Sequence, residues 1–351
     1  MKSMLLISLA FFVSLAAQAH SGDFFINQSE RFQFVRTEKA LQNFALSDDC
    51  KARIRQLLCV VKEPAEFGKP RTCELGSDAY APALETIYDL IPPKMQKMFC
   101  HLQVIFVEAG ESEALAYAGI GNQNGSATAL MGIRADLLTQ DRSLSEVLSW
   151  KEQKAFGIQM PSYSHDPRAA KIQTQVEGSY TALHYVVLHE FGHIFDFANA
   201  ANDFECKTGE TCVRDDQTPE GLRKIVPVPG TWSALSWQNI IEPVTRDNFP
   251  LHKELCFYGC NGRGLSIEKM PEFYNQLNST QFVTTYSAVS SWEDFAESTA
   301  FHFLSQSQSF QYRLTDPVMT YFLDRKWYSM QDKRTWIENF YSQDLKYPEI
   351  K

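Results

Sequence analysis

Apolar residues recur at helical or strand spacing along most of the 351-residue chain, and each run predicts an element. Residues 33 to 62 predict one or two helices, clearest in ALQNFALSDDCKARIRQLLCVV. Residues 63 to 80 are rich in Pro, Gly and charge and predict a loop. APALETIYDLIPPKMQKMFC predicts a helix broken by Pro92 and Pro93. HLQVIFVE, residues 101 to 108, predicts a buried strand. SATALMGIRADLL, residues 126 to 138, predicts a second one after the loop-like GIGNQNGS. Helices are predicted over 143 to 155, over 177 to 199, and over 291 to 305 with Ser291 as cap. Residues 200 to 285 show no period and carry Gly, Pro, Asn and four cysteines. Two last helices are predicted near 317 to 330 and 332 to 342. Together these predict an α+β chain, mainly helical with a small sheet. A helical lobe over 20 to 95 would pack on one domain over 96 to 351, with an insertion at 200 to 285.

The first 19 residues stand outside that plan. Lys2, the apolar run MLLISLAFFVSLAA and the small-x-small AQA form the pattern of a secretory signal peptide cut after Ala19. The run is too short to span a bilayer comfortably, and no later segment is long and apolar enough to do so. The expected protein is therefore secreted or periplasmic, without a membrane span. All eight cysteines follow this segment, and an even count in an exported chain suggests disulfides. Their pairing does not follow from sequence; the shortest loops would join Cys206 to Cys212 and Cys256 to Cys260. A cysteine zinc site is disfavoured because no pair of CxxC motifs is present. A hydrophobic content of 44% excludes disorder, and a net charge of −9 argues against nucleic acid as the main partner.

One stretch changes the picture from architecture to chemistry. LHEFGHIFDF carries His189, Glu190 and His193 inside an apolar helical run. Residues four apart on a helix share a face, so both imidazoles can reach one metal ion. Zinc suits nitrogen ligands and imposes no geometry of its own. Glu190 can then accept a proton from an attacking water as general base. With only eight histidines in the chain, this pattern is improbable by chance. His184 lies five residues before His189, points elsewhere, and reads as a packed histidine.

A catalytic zinc usually takes three protein ligands and leaves one position open. An extended HExxH motif would place a histidine at 199, but that residue is Asn. The third ligand must come from elsewhere, and SWEDFAES is the best source. Glu293 and Glu297 are one turn apart and share a face. Either can bind the metal while the other supports a ligand histidine through its second ring nitrogen. Asp294 points about 100° away from Glu293. The plain alternative is an acidic helix start, favoured by the helix dipole.

HEFGHIFD, Tyr286 and EDFAE together resemble the gluzincins, and more narrowly the catalytic domain of anthrax lethal factor and the Pro-Pro endopeptidases. Their pattern is HExGHxxD, then Tyr, then Glu seven residues on. The resemblance covers residues 180 to 200 and 284 to 305. It implies a zincin-like fold with an active-site helix. It implies that His189, His193 and Glu293 bind one Zn2+ and that Glu190 is the base. It also implies that Tyr286 hydrogen-bonds the oxyanion, that Glu297 supports a histidine ligand, and that Asp196 has a supporting role. Two departures stand out. Position 294 is Asp where the family has an aromatic residue, and about 90 residues separate the two motifs.

The expected function is thus secreted zinc-dependent endopeptidase, acting on a peptide or protein bound extended along an edge strand, for which residues 126 to 135 are the candidate. Two other readings keep the metal. One is a peptidase of peptidoglycan cross-links. The other is an inactive zinc-stabilised binding protein, against which intact Glu190 and Tyr286 argue.

Overall fold

The computed structural model describes residues 34–36, 48–62, 71–75, 78–110, 114–123, 126–156, 173–177, 180–207, 223–239, 242–257, 264–306, 311–315 and 320–348. The expected signal segment, residues 1 to 19, lies outside them. The protein is mixed α+β, as the hydrophobic pattern predicts. Among the described residues no helix is long and apolar enough to cross a membrane. The chain divides into two compact units.

The first unit combines Gly22–Arg142, Thr181–Asn199 and Leu345–Lys351. Its centre is a six-stranded sheet of β1 (Phe34–Arg36), β2 (Leu58–Val61), β3 (Arg71–Leu75), β4 (Leu102–Glu108), β5 (Ala116–Gln123) and β6 (Ser126–Arg134), in the order β1-β3-β2-β4-β6-β5. β4 pairs in parallel with β2 and β6, while β5 and β6 form an antiparallel hairpin. Cys59, Val61, Val104, Phe106 and Leu130 make an apolar cluster on this sheet, with Tyr117 packed against it. Tyr117 crosses Gly132 so closely that a Cβ there would sit 2.1 Å from its ring. A side chain at this crossing would require the Tyr117 ring to move. The Tyr117 hydroxyl then donates to Glu108 at 2.5 Å.

Three expectations change here, each for a local reason. The helical pattern over 33 to 62 is helix only over Cys50–Leu57, capped by Asp49, among the described residues. LCVV then continues as β2, because a run apolar on every residue fits a strand buried on both faces. The sheet therefore takes strands from both sides of residue 95. The supposed loop GIGNQNGS is mostly strand: β5 is small and Gly-rich, so its alternation is faint. As a result β6 lies inside the sheet and β5 is at its edge, not residues 126 to 135. β6 also stops at Arg134, and Ala135–Thr139 turns into a short helix.

Helices Ala81–Leu90 and Pro93–Met98 are separated at the proline pair as expected. A disulfide joins Cys50 to Cys100. Cys59 is free and buried. The helix Ala182–Asn199 belongs to this unit and packs against β5 and the helices Ala81–Leu90 and Pro93–Met98. It starts at Ala182 rather than 177, with the Thr181 hydroxyl accepting from the His184 amide at 3.2 Å. Every residue from Ala182 to Asp196 is buried. At its far end the Asn199 side chain donates to the Lys346 carbonyl (3.0 Å) and accepts from the Lys346 amide (2.7 Å). The helix then ends at Ala200, whose φ of 50° lies in the left-handed region.

The second unit is built from Ser143–Tyr180 and Ala200–Asp344. The helix Leu144–Ala155, capped by Ser143, lies beside β7 (Gln173–Glu177). Ser145 and Ser149 on that helix accept from the Val176 and Thr174 amides, at 2.9 and 2.8 Å. Strands β8 (Phe204–Cys206) and β9 (Ile225–Pro227) form a small ribbon. Strands β10 (Gln311–Thr315) and β11 (Thr320–Phe322) join β7 in a three-stranded antiparallel sheet. The stretch read as irregular also holds the helix Met270–Asn278. Its buried Met270, Phe273, Tyr274 and Leu277 keep helical spacing. Cys206 and Cys256 are each disulfide-bonded, while Cys212 and Cys260 lie outside the described residues. The helix Ser291–Leu304 is capped by Ser290, not Ser291. The last helices are Leu323–Ser329, delayed by β11, and Gln331–Ser342.

A buried histidine and a half-buried one make stability pH-dependent. Burial pulls His184 and His302 down to about 4 from the ordinary imidazole value of 6.5. Both are neutral in the folded chain, and the unfolded chain binds their protons more tightly. Their contribution is complete above about pH 6.5 and is lost as pH falls towards 4, on the order of 3 kcal/mol per fully buried group. Denaturant midpoints should therefore fall between pH 7 and 5, and less in His302→Gln. Identical pH curves would refute the assignment to His302.

Candidate metal centre

The helix Ala182–Asn199 places Tyr185, His189, His193 and Phe197 in one row, four residues apart. Neighbouring rings in that row stand 5.9, 4.9 and 5.9 Å apart between centroids. The two histidine rings meet edge to face, at 83°. His189, Glu190 and His193 are 6%, 6% and 8% exposed, which takes them out of bulk water but leaves an opening. Asp196, on the same helix, is buried.

Glu293 sits in the first turn of the helix Ser291–Leu304, and its amide donates to the Ser290 hydroxyl. It is half-buried, unlike its neighbours. One ligand atom each from His189, His193 and Glu293 lie within 4.8 Å of one another, and this group could hold a metal ion. The donor chemistry fits: two imidazole nitrogens and a carboxylate oxygen make a borderline set for a first-row divalent metal.

The acids around Glu293 divide by environment. Glu297 is buried, and its carboxylate accepts from Lys151 Nζ at 2.5 Å and from the Thr284 hydroxyl at 2.7 Å. Asp294 is also fully buried. It takes Lys333 Nζ at 2.5 and 2.7 Å and the Trp237 indole N–H at 3.3 Å. Burial pushes its carboxyl up to about 6, opposed by the Lys333 ammonium. Asp294 is an internal salt-bridge partner for Lys333.

Tyr286 opens a 3-10 turn, Tyr286–Ala288, just ahead of the Glu293 helix. Its ring is half-buried between Phe257 (4.8 Å, edge to face) and the Lys151 ammonium (4.3 Å from the ring centroid). Lys151, beside both Glu297 and Tyr286, belongs to no motif in the sequence. Its signal was present: Leu144, Leu148, Lys151 and Ala155 share the buried face of one helix, so a cation occupied a core position. No family model matches the chain, and neither a curated protein nor a solved structure matches it.

Proposed function

We propose that the protein is a secreted zinc-dependent endopeptidase with a zincin-like active site. The observation that carries this reading is the His189–His193–Glu293 group, with Glu190 directly after the first histidine. Two imidazoles and one carboxylate would hold the ion and leave a position open, the ligand arrangement of catalytic rather than structural zinc. When bound, zinc supplies Lewis-acid polarisation of a carbonyl and lowers the pKa of water. Glu190 accepts the proton of the attacking water and delivers it to the leaving amine. The Tyr286 phenol donates to the oxyanion that develops on the scissile carbonyl. Glu297 and Asp196 support the machinery from buried positions. An extended substrate would pair along β5, whose outer edge carries no further strand among the described residues. The pattern at residues 1 to 19 supports export.

The test is digestion of a mixed peptide library by zinc-loaded protein lacking residues 1 to 19, read by mass spectrometry. Cuts should vanish with a chelator and return with added zinc. A folded, metal-loaded sample that cuts nothing would overturn the reading and move weight to peptidoglycan cross-links or to binding alone. Ligand roles are tested separately by metal titration. His193→Ala and Glu293→Ala should each weaken zinc binding by about a hundredfold or more, since each removes one of three ligands. Unchanged affinity in Glu293→Ala would transfer the ligand role to another residue, Glu297 first.

A further inference from the structure

Three consecutive residues, Thr284, Thr285 and Tyr286, are each engaged by a buried charged side chain. The Thr284 hydroxyl donates to Glu297 at 2.7 Å. The Thr285 hydroxyl donates to Glu152 at 2.8 Å. The ring of Tyr286 lies under the Lys151 ammonium, at 4.3 Å. Lys151 closes the set by its 2.5 Å ion pair with Glu297. Lys151 and Glu152 are adjacent on the helix Leu144–Ala155, and Glu297 comes from the helix Ser291–Leu304. All of these belong to one compact unit.

This arrangement is costly for stability alone. Lys151 is 6% exposed and Glu152 and Glu297 are 0%. Buried ion pairs seldom stabilise a fold more than apolar residues of the same shape would. Burial holds the Glu152 carboxyl above its ordinary value, and the Tyr274 hydroxyl donates to it as well. What these groups fix is the backbone before Tyr286 and the plane of its ring. Meanwhile Tyr286 is the half-buried member of a segment whose two preceding residues are fully buried. A cation on one ring face also draws electron density and strengthens the phenol as a hydrogen-bond donor.

We propose that Lys151 is a positioning residue for Tyr286: tied to Glu297, its ammonium holds the ring face and so aims the phenol at the reacting carbonyl. This rests on the peptidase reading, in which Tyr286 stabilises the oxyanion. Lys151 itself touches neither substrate nor metal in this scheme.

Two measurements test it. The first needs no activity. In 13Cε-lysine NMR, the Lys151 ε-methylene, assigned by its loss in Lys151→Gln, should be shifted upfield by the Tyr286 ring; Lys97, Lys154 and Lys333 also lie over rings, but over other ones, so only the Lys151 signal should respond to Tyr286. The shift should persist in Tyr286→Phe and vanish in Tyr286→Leu. The second is a double-mutant cycle in peptide hydrolysis. Tyr286→Phe should lower kcat by about a hundredfold, as for removal of one oxyanion donor. Lys151→Met should lower kcat by about tenfold or more with KM little changed, as expected when a reacting group is displaced rather than lost. In the Tyr286→Phe background, Lys151→Met should cost nothing further. If Lys151→Met fails to fold, Lys151→Gln keeps a donor for Glu297 while removing the charge from the ring. A Lys151 resonance that is unshifted, or that does not move in Tyr286→Leu, would overturn the contact. Equal losses in both backgrounds would show that Lys151 does not act through the phenol. An upfield resonance with no hydrolysis by the zinc-loaded wild type would leave the contact standing but defeat the peptidase reading and the aiming role with it.

Discussion

Glu190→Ala should bind zinc like the wild type and hydrolyse peptides at least a thousandfold more slowly. The expectation follows from the place of Glu190 on its helix. It is next to His189 in sequence, about 100° away around the helix axis, and so outside the row that holds the two histidines. Its carboxylate can therefore face a water without taking a ligand's position. Removing a general base typically costs about 10²–10⁴ in rate, and in the proposed mechanism the same group serves the leaving amine as well. A thousandfold loss corresponds to about 4 kcal/mol of transition-state stabilisation. Metal content by plasma mass spectrometry and initial rates on a peptide identified from the library decide the matter. Wild-type rates in the mutant would remove Glu190 from the mechanism. Lost zinc would instead make it structural, through the packing of a helix that is buried from Ala182 to Asp196.

The parts of the molecule that were legible in sequence are those set by local periodicity. His189, Glu190 and His193 fell on one helix because an apolar run with i, i+4 histidines has few other solutions. Ser291–Leu304 was equally clear, and so were β4 and the break at Pro92 and Pro93. The errors share a different cause: they depend on partners distant in the chain. β5 reads as a loop because Ala and Gly dominate it, and only its pairing with β6 makes it a strand. The helix before β2 reads as continuing because LCVV is apolar on every residue; β4 beside it decides otherwise. Cys50 and Cys100 are 50 residues apart, and no spacing rule would join them. Asp294 shows the limit most clearly. From sequence it is one acid among three at a helix start. Its burial is intelligible only with Lys333, 39 residues on, in place. Lys151 and Glu297, separated by 146 residues, are a second case.

That dependence gives the second large effect. Lys333→Met should destabilise the protein by about 3–5 kcal/mol, because it leaves the buried Asp294 carboxyl without its counter-charge, to be held either ionised or protonated at a cost. Lys333 is 1% exposed and Asp294 0%. The ammonium also donates to the Gln281 carbonyl at 2.6 Å and lies 4.9 and 5.0 Å from the Trp232 and Phe282 ring centroids. Methionine can refill the stem's volume among those rings, so the loss isolates the charge rather than the packing. After mutation the Trp237 indole remains beside Asp294, a single neutral donor at 3.3 Å. The companion variant is Lys333→Met with Asp294→Asn. It removes both charges, leaves an amide that can still accept from Trp237, and should recover more than half of the lost stability. Urea midpoints of the two single variants, the double variant and the wild type form a complete cycle. Simple additivity in that cycle would mean that the two groups do not form an energetically coupled pair. Strong coupling would identify the Asp294–Lys333 contact as what fastens the start of the Glu293 helix to the Gln331–Ser342 helix.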